Sequence, residues 1–139
     1  MKSKYLNMYM EMAEAAAKTS VAERLKVGCC IVTESGMCAV GLNGTYPGYD
    51  TNCCEDLTQG ELVTKPQTRH AEFAALSKMM AEGVSTKGAT VFITHSPCHP
   101  CALLLIGAHV KRVFYKNFYK CDLGIEELLD ADVSIEQLN

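Results

Sequence analysis

Two short stretches of the chain carry side chains of the kind that bind metal ions. Cys98 and Cys101 stand three positions apart in "SPCHPC", and His70 and Glu72 stand two positions apart in "RHAEFAAL". Cysteine sulfur and histidine nitrogen are ligands that zinc prefers in proteins, and two cysteines spaced C-x-x-C at a helix start can share one ion. Redox-active dithiols and disulfides use the same spacing, so the chemistry depends on the compartment and on the neighbouring elements.

The composition favours the metal over the disulfide. Glu11 and Glu14 interrupt the N-terminal stretch, which has no continuous apolar run of signal-peptide length. Eight cysteines without a secretion signal indicate a reducing compartment, where metal-binding or catalytic roles outrank disulfides. The net charge of −3 offers no general basic surface, and no stretch approaches the length of a membrane span. We therefore expect neither a polymeric nucleic acid nor a membrane as partner.

The hydrophobic pattern predicts the elements that must position these side chains. We predict a helix over 3–18, strands over 27–34 and 37–42, a loop over 43–68, a helix over 70–82, a strand over 89–94, a helix over 98–108, a strand over 110–116, a helix over 124–131 and a strand over 133–138. The first two strands form an antiparallel hairpin, whereas alternating strands and helices in the second half favour parallel pairing. The predicted fold is α/β: one domain, 1–139, with three α/β/α layers around a mixed sheet of about five strands.

Both halves of the motif fall at predicted helix starts. Together they match H-x-E followed by P-C-x-x-C, the signature of zinc-dependent nucleobase deaminases. His70, Cys98 and Cys101 would be three protein ligands, which leaves a fourth position for a water whose pKa the zinc lowers. Glu72 stands close enough to take the water proton and pass it on, as general base and then acid. No further protein ligand lies at the usual spacing, so a catalytic site is favoured over a structural one.

Simpler explanations exist for several of these residues. Glu72 could complement the dipole at the start of its helix, as many carboxylates do. His95, His99 and His109 are rival ligands, but His99 lies at the wrong helical angle to join both cysteines and is expected to be exposed. Cys53 and Cys54 are adjacent and could donate to a second metal, although no partner set is visible.

The chain resembles the cytidine deaminase superfamily, and within it the deoxycytidylate (dCMP) deaminases, including those of bacteriophages. The stretches that carry the resemblance are "ERLKVGCCIV", "GLNGTYPGYDTNCCED", "HAEFAAL", "FITHSPCHPCALLLIGAHVKRVFY" and "VFYKNFYK". It implies a cytidine deaminase-like fold and the zinc-dependent hydrolysis of dCMP to dUMP with release of ammonia, feeding thymidylate synthesis. The expected location is the cytoplasm, which for a viral chain is the cytoplasm of the host.

The resemblance also assigns roles to single residues. It implies that His70, Cys98 and Cys101 bind zinc and that Glu72 shuttles protons. The substrate contacts that it implies are Asn43 to the sugar or base, the Ala71 backbone to the pyrimidine, Ser96 on the amine side and Tyr119 near the nucleotide. Arg24 is the best candidate for the phosphate, because a planar guanidinium suits it. Lys26 and Lys120 are weaker candidates, and a solvated surface charge is the preferred interpretation of both.

Regulation and assembly are further implications of the resemblance. Family members of this type are commonly homohexamers, activated by dCTP with Mg²⁺ and inhibited by dTTP. The 43–56 segment resembles the region involved, with Gly44, Tyr46 and Asn52 as candidate effector contacts. The chain departs from the family pattern in three places: Ala74 replaces an Asn, Leu42 replaces a Tyr, and Ala22 stands where a second-metal cysteine is expected.

Two other functions remain open from the sequence. Within the superfamily, the substrate could be cytidine, a tRNA adenosine or a riboflavin precursor. From a different class, the chain could be a non-catalytic zinc-binding module that uses the fold for interaction, although Glu72 argues against this.

Overall fold

Four helices and nine strands make up the protein, and the computed structural model describes all 139 residues. The elements in chain order are α1 (Ser3–Lys18), β1 (Gly28–Val32), β2 (Cys38–Leu42), β3 (Gly44–Thr45), β4 (Glu55–Thr58), β5 (Glu61–Thr64), β6 (Thr68–Arg69), α2 (Ala71–Ala81), β7 (Thr90–His95), α3 (His99–Gly107), β8 (Arg112–Asn117), α4 (Leu123–Asp130) and β9 (Ser134–Gln137). None of the four helices combines the length and the apolar character that crossing a membrane requires.

A mixed five-stranded sheet is the centre of the fold, with strand order β2-β1-β7-β8-β9. β1 pairs antiparallel with both β2 and β7, whereas β7, β8 and β9 run parallel. The predicted antiparallel hairpin, the parallel second half and the strand number are therefore confirmed. The β7–α3–β8 and β8–α4–β9 connections bring the helix of the cysteine motif against the middle of the sheet.

The two faces of the sheet are covered unequally. Residues at alternate positions of β1 and β7, such as Ile31 and Ile93, pack in a cluster of 15 buried residues with α2, α3 and α4. The other face, which includes Phe92 and Phe114, packs against α1 through Met10. Since side chains alternate between faces along a strand, each strand contributes to both layers. The result is the predicted three-layer α/β/α arrangement.

Two glycines allow helices to approach the sheet closely. A Cβ on Gly41 in β2 would lie 2.4 Å from the Ala71 carbonyl oxygen and 2.5 Å from the Ala75 nitrogen. A Cβ on Gly28 in β1 would lie 1.9 Å from the Ala13 carbonyl oxygen. Only a residue without a side chain fits at these two positions, so Gly41 fixes the distance between α2 and the sheet.

The prediction of an uninterrupted loop over 43–68 is wrong. This segment contains a hairpin of β4 and β5 and a short antiparallel pair of β3 with β6, in which Gly44 is the partner of Arg69. The pairing matters for the site because it places the end of the segment directly before His70. The β4 and β5 strands are largely exposed, and so their sequences lack the apolar alternation that identifies a strand.

Candidate active site

The starts of two helices meet at one end of the sheet. His70 is the residue that precedes α2, and Cys98 is the residue that precedes α3. Cys101 lies in the first turn of α3, one helical turn beyond Cys98. Pro100 stands near the start of α3, where its missing N–H costs no intrahelical hydrogen bond. The predicted helix starts are thus confirmed within two residues, and they bring the two halves of the motif together.

His70, Cys98 and Cys101 form a compact donor set. Their ligand atoms all lie within 4.8 Å of one another. The Nδ1 atom of His70 is 3.3 Å from the Cys101 sulfur and 3.5 Å from the Cys98 sulfur. Tetrahedral zinc, with its usual bond lengths, places nitrogen and sulfur ligands about 3.6 Å apart. The three donors therefore fit a zinc ion, and the chain gathers no other group of three or more such ligands.

The electrostatics of the set favour a thiolate. Hydrogen bonds from Cys101 and from His70 lower the pKa of Cys98 to about 4. The hydrogen bond with Cys98 raises the pKa of Cys101, and burial raises it further. The hydrogen bond with Cys98 raises the pKa of His70. The contacts thus favour a thiolate at Cys98, and a metal ion needs deprotonated ligands of this kind.

Glu72 lies in the first turn of α2 and is 4% exposed. Burial raises the pKa of its carboxyl group to about 7, against a lowering by hydrogen bonds from its own backbone and from Cys101. The simpler interpretation of Glu72, a carboxylate that complements the dipole at a helix start, does not explain this burial. A carboxyl group that changes protonation state near neutral pH, beside the metal donors, is suited to accept and return a proton.

A cavity of about 260 Å³ opens at this end of the sheet. Among the residues that line it are the predicted site residues Arg24, Asn43, His70, Ala71, Glu72, Ser96, Cys98 and Tyr119. Cys101 is 5% exposed and lies behind Cys98. These eight residues therefore share one cavity, although they come from segments up to 95 positions apart (24 to 119).

Asn43 and Ser96 are both held by the protein itself. The Asn43 amide accepts a hydrogen bond from the Val27 N–H at 2.8 Å and donates one to the Leu25 carbonyl at 2.7 Å. Ser96 Oγ accepts a hydrogen bond from the Tyr119 N–H at 2.8 Å. These contacts fix two cavity walls, the 25–27 segment and the 119 loop, in addition to any contact with a ligand.

Arg24 lies at the edge of the cavity, where Nη1 donates a hydrogen bond to Thr64 Oγ1 at 3.0 Å. Its backbone N–H, and that of Glu23, donate to the buried Glu55 carboxylate at 3.0–3.2 Å. No sequence pattern indicates this role of Glu55, because its partners lie about 30 positions away. Glu55 fixes the turn that presents Arg24.

The candidate effector residues lie beside the cavity rather than in it. Gly44 pairs with Arg69, and Tyr46 is exposed and packs on Tyr49 with ring centroids 5.2 Å apart. Asn52 is exposed, and its carbonyl accepts a hydrogen bond from the Cys54 thiol at 3.6 Å.

The neighbouring cysteines do not form a second donor set. The Cys53 thiol donates to the Glu55 carbonyl at 3.1 Å, and no third ligand is grouped with it or with Cys54. All eight cysteines are free thiols.

The three rival histidines stand outside the donor set. His95 Nδ1 is hydrogen-bonded to Thr94, and His99 Nε2 lies 2.8 Å from the Glu127 carboxylate on α4. His109 follows α3 and adopts a positive φ of 58°. His99 is therefore a partner of α4 and not a ligand. His95 does line the cavity, a role that the sequence analysis did not assign to it.

Comparisons with known proteins agree with this geometry. The family model described as "Cytidine and deoxycytidylate deaminase zinc-binding region" matches residues 3–117. A crystal structure of dCMP deaminase from the cyanophage S-TIM5, in complex with dCMP and dUMP, is similar with a TM-score of 0.91 and 40% identity, covering 99% of each chain. The ComE operon protein 2 of Bacillus subtilis is 34% identical over 94% of this chain and 69% of its own length. The deoxycytidylate deaminase of Saccharomyces cerevisiae is 29% identical over the whole chain, which spans 46% of that protein.

The fold and the donor set together define a zinc-binding deaminase domain. The chain belongs to the cytidine and deoxycytidylate deaminase family, and within it to the dCMP deaminase type. The resemblance stated from the sequence is confirmed, and so is the cytidine deaminase-like fold.

Proposed function

We propose that the chain catalyses the hydrolytic deamination of dCMP to dUMP with release of ammonia. The observation that carries the proposal is the buried Glu72 carboxyl group beside the His70, Cys98 and Cys101 donors, in a cavity that also holds a cationic side chain. The cyanophage protein, which matches over 99% of both chains, is described as a dCMP deaminase in complex with dCMP and dUMP. Zinc, when held by the three donors, would supply a Lewis acid that makes a water molecule a nucleophile at neutral pH.

The protein's own residues would bind the base and move the protons. Ala71 is the first residue of α2, where backbone N–H groups have no partner within the helix, so its N–H can donate to the pyrimidine. Glu72 would accept a proton as oxygen adds to C4 and would deliver protons to ring N3 and to the leaving amine. The C4–O bond forms from water and the C4–N bond breaks. One water proton remains on N3 of dUMP, and the other leaves with the amine as ammonia. A carboxyl group with a pKa of about 7 can serve in both directions.

The remaining cavity residues would define the nucleotide. Ser96 would lie on the amine side of the base, Asn43 and Tyr119 along the sugar, and Arg24 at the phosphate. The Arg24 guanidinium makes one hydrogen bond to Thr64, so most of its five N–H donors remain for an anion.

Regulation, assembly and location belong to the same proposal. The chain would form a homohexamer, activated by dCTP with Mg²⁺ and inhibited by dTTP, in the cytoplasm. The 43–56 segment supports the regulatory part, because Asn43 and Glu55, at or next to its two ends, line the cavity while Tyr46 and Asn52 between them are exposed. A nucleotide seated on this segment would therefore act directly on a wall of the site. The eight free thiols support a reducing compartment.

A substrate panel tests the proposal. Ammonia release by the zinc-loaded protein is measured with dCMP, CMP, dCTP, deoxycytidine and cytidine, each with and without dCTP–Mg²⁺ or dTTP. We expect kcat/KM for dCMP to exceed that for deoxycytidine by about 10- to 100-fold, the worth of a hydrogen bond to a charged group. The substitution Arg24→Gln should remove most of this preference, whereas Lys26→Gln, at an exposed position outside the cavity, should not. Equal rates on dCMP and deoxycytidine would contradict the nucleotide assignment.

A further inference from the structure

His95 ends β7 and lines the cavity, yet it belongs neither to the zinc donors nor to the contacts implied by the family resemblance. Its imidazole has one partner within the protein, the Thr94 hydroxyl, which lies 3.0 Å from Nδ1. The Nε2 atom has no hydrogen-bond partner and is not sealed from solvent. The question is which of the two nitrogens carries the proton.

The hydrogen bonds of Thr94 decide the tautomer. Thr94 is 4% exposed, and its Oγ1 accepts a hydrogen bond from the Gly28 N–H at 3.1 Å. The only other partner of this hydroxyl is His95 Nδ1. A buried hydroxyl proton without an acceptor costs about 1–3 kcal/mol, so the Thr94 proton must point at Nδ1. Nδ1 is then an acceptor, and the neutral imidazole carries its hydrogen on Nε2.

The surroundings of His95 indicate what Nε2–H can reach. The Tyr119 ring packs edge-on against the His95 ring with centroids 5.9 Å apart, and the Lys120 ammonium lies 5.2 Å over the Tyr119 ring. These three residues form one continuous wall of the cavity, which we call the His95 wall. Tyr119 and Lys120 belong to the loop that follows β8, whereas Glu72 and the metal donors lie at the starts of α2 and α3.

We propose that His95, held in its Nε2–H tautomer by Thr94, donates a hydrogen bond to an oxygen of the sugar–phosphate part of the nucleotide. This inference rests on the proposed function for the identity of the ligand. A neutral donor in the His95 wall complements the acceptor oxygens of a phosphate or of a deoxyribose hydroxyl. Burial lowers the pKa of His95, so the imidazole stays neutral and keeps this donor at neutral pH. His95 is thus a specificity residue, and Thr94 is its positioning residue.

Binding of the product-like ligand dUMP tests the proposal without turnover. The affinities of the zinc-loaded protein for dUMP, for deoxyuridine and for 2′,3′-dideoxyuridine monophosphate are measured by calorimetry. The substitution His95→Phe keeps a planar ring against Tyr119 and removes both nitrogens. We expect it to weaken dUMP binding about tenfold and to have no effect on the ligand that lacks the contacted oxygen. If His95→Phe binds deoxyuridine as tightly as the wild type does, the contacted oxygen belongs to the phosphate. If it binds the dideoxynucleotide as tightly as the wild type does, the contacted oxygen is the 3′-hydroxyl.

Substitutions at Thr94 provide the matched pair. Thr94→Ser keeps the hydroxyl and should bind dUMP within twofold of the wild type, whereas Thr94→Val removes it and should weaken dUMP binding in the same ligand-dependent way as His95→Phe. Unchanged dUMP affinity in His95→Phe, or an equal loss with all three ligands, would overturn the proposal. If wild type binds dUMP but does not deaminate dCMP, the proposed reaction fails while this test of His95 still stands.

Discussion

Glu72 combines two properties that rarely coexist, a position in the first turn of a helix and almost complete burial. The helix start favours the carboxylate, because unpaired backbone N–H groups point toward it. Burial favours the carboxylic acid, and burial is the larger effect, so the pKa rises to about 7. The same side chain can therefore hold or release a proton near neutral pH. This is the physical basis of its proposed role as proton shuttle.

The raised pKa of Glu72 predicts a pH dependence of stability in the metal-free protein. A folded-state pKa above the ordinary value of 4.5 stabilises the protein below pH 4.5, and this stabilisation is lost as the pH rises through about 7. We expect the free energy of unfolding to fall by about 3 kcal/mol from this group between pH 4 and pH 8. Glu72→Gln should remove that part of the slope in urea titrations of the chelated protein. Parallel pH profiles of the two proteins would contradict the assigned pKa.

At the scale of elements, the site depends on how closely α2 approaches β2. Gly41 makes this approach possible, because any Cβ there would meet the backbone of Ala71 and Ala75. Ala71 immediately precedes Glu72, so a shift of α2 moves the carboxyl group relative to the donors on α3. An error of about 1 Å in the position of a catalytic group can cost about 10²-fold in rate.

The substitution Gly41→Ala tests this contact. We expect a loss of about 1–3 kcal/mol in stability, typical of overpacking, and a larger fractional loss in activity than in zinc content. Gly107→Ala is the matched control, since Gly107 is the exposed last residue of α3 and an added Cβ meets nothing within 4 Å. The control should be neutral or more stable by about 0.5–1 kcal/mol. Chemical denaturation measures both variants, and an unperturbed Gly41→Ala would argue against the contact.

The sequence predicted some elements well for identifiable physical reasons. The α2 and α3 starts were predictable because "RHAEFAAL" and "SPCHPCALLLIG" each change from polar residues or proline to an apolar helical run. The β3–β6 pair and the β4–β5 hairpin were missed, because two-residue strands and exposed strands leave no periodic signal. The tautomer of His95 and the Glu55 turn were also beyond prediction. The first depends on the Gly28 N–H that bonds Thr94, the second on the Arg24 N–H that bonds Glu55, and only the tertiary fold brings these groups near.

At the scale of the whole molecule, the donor set joins parts of the chain that are distant in sequence. His70 lies between β6 and α2, whereas Cys98 and Cys101 lie 28 and 31 positions further along the chain. A bound ion would therefore link the two helices that cover the central strands on one face. Ligand binding to the folded state alone stabilises it by mass action, by about 4 kcal/mol at a thousandfold excess over Kd.

Metal removal should therefore destabilise the whole molecule. We expect a strong chelator to lower Tm by roughly 10 °C or more in calorimetry. Cys101→Ser should have a low Tm that the chelator no longer changes, and the exposed Cys38→Ser should respond as the wild type does. A chelator effect of the same size in Cys101→Ser would show that the ion binds elsewhere.

The central claim is that the protein deaminates dCMP by hydrolysis and that the buried Glu72 carboxyl group, beside the three zinc donors, transfers the protons. Its most direct test is ammonia release from dCMP by zinc-loaded wild type and Glu72→Gln, with the zinc content of both proteins determined in the same samples. We predict full zinc occupancy in both and a rate at least about 10²- to 10⁴-fold lower in Glu72→Gln, the usual contribution of general acid–base catalysis. Equal rates in the two proteins, or no ammonia from dCMP with the zinc-loaded wild type, would contradict it.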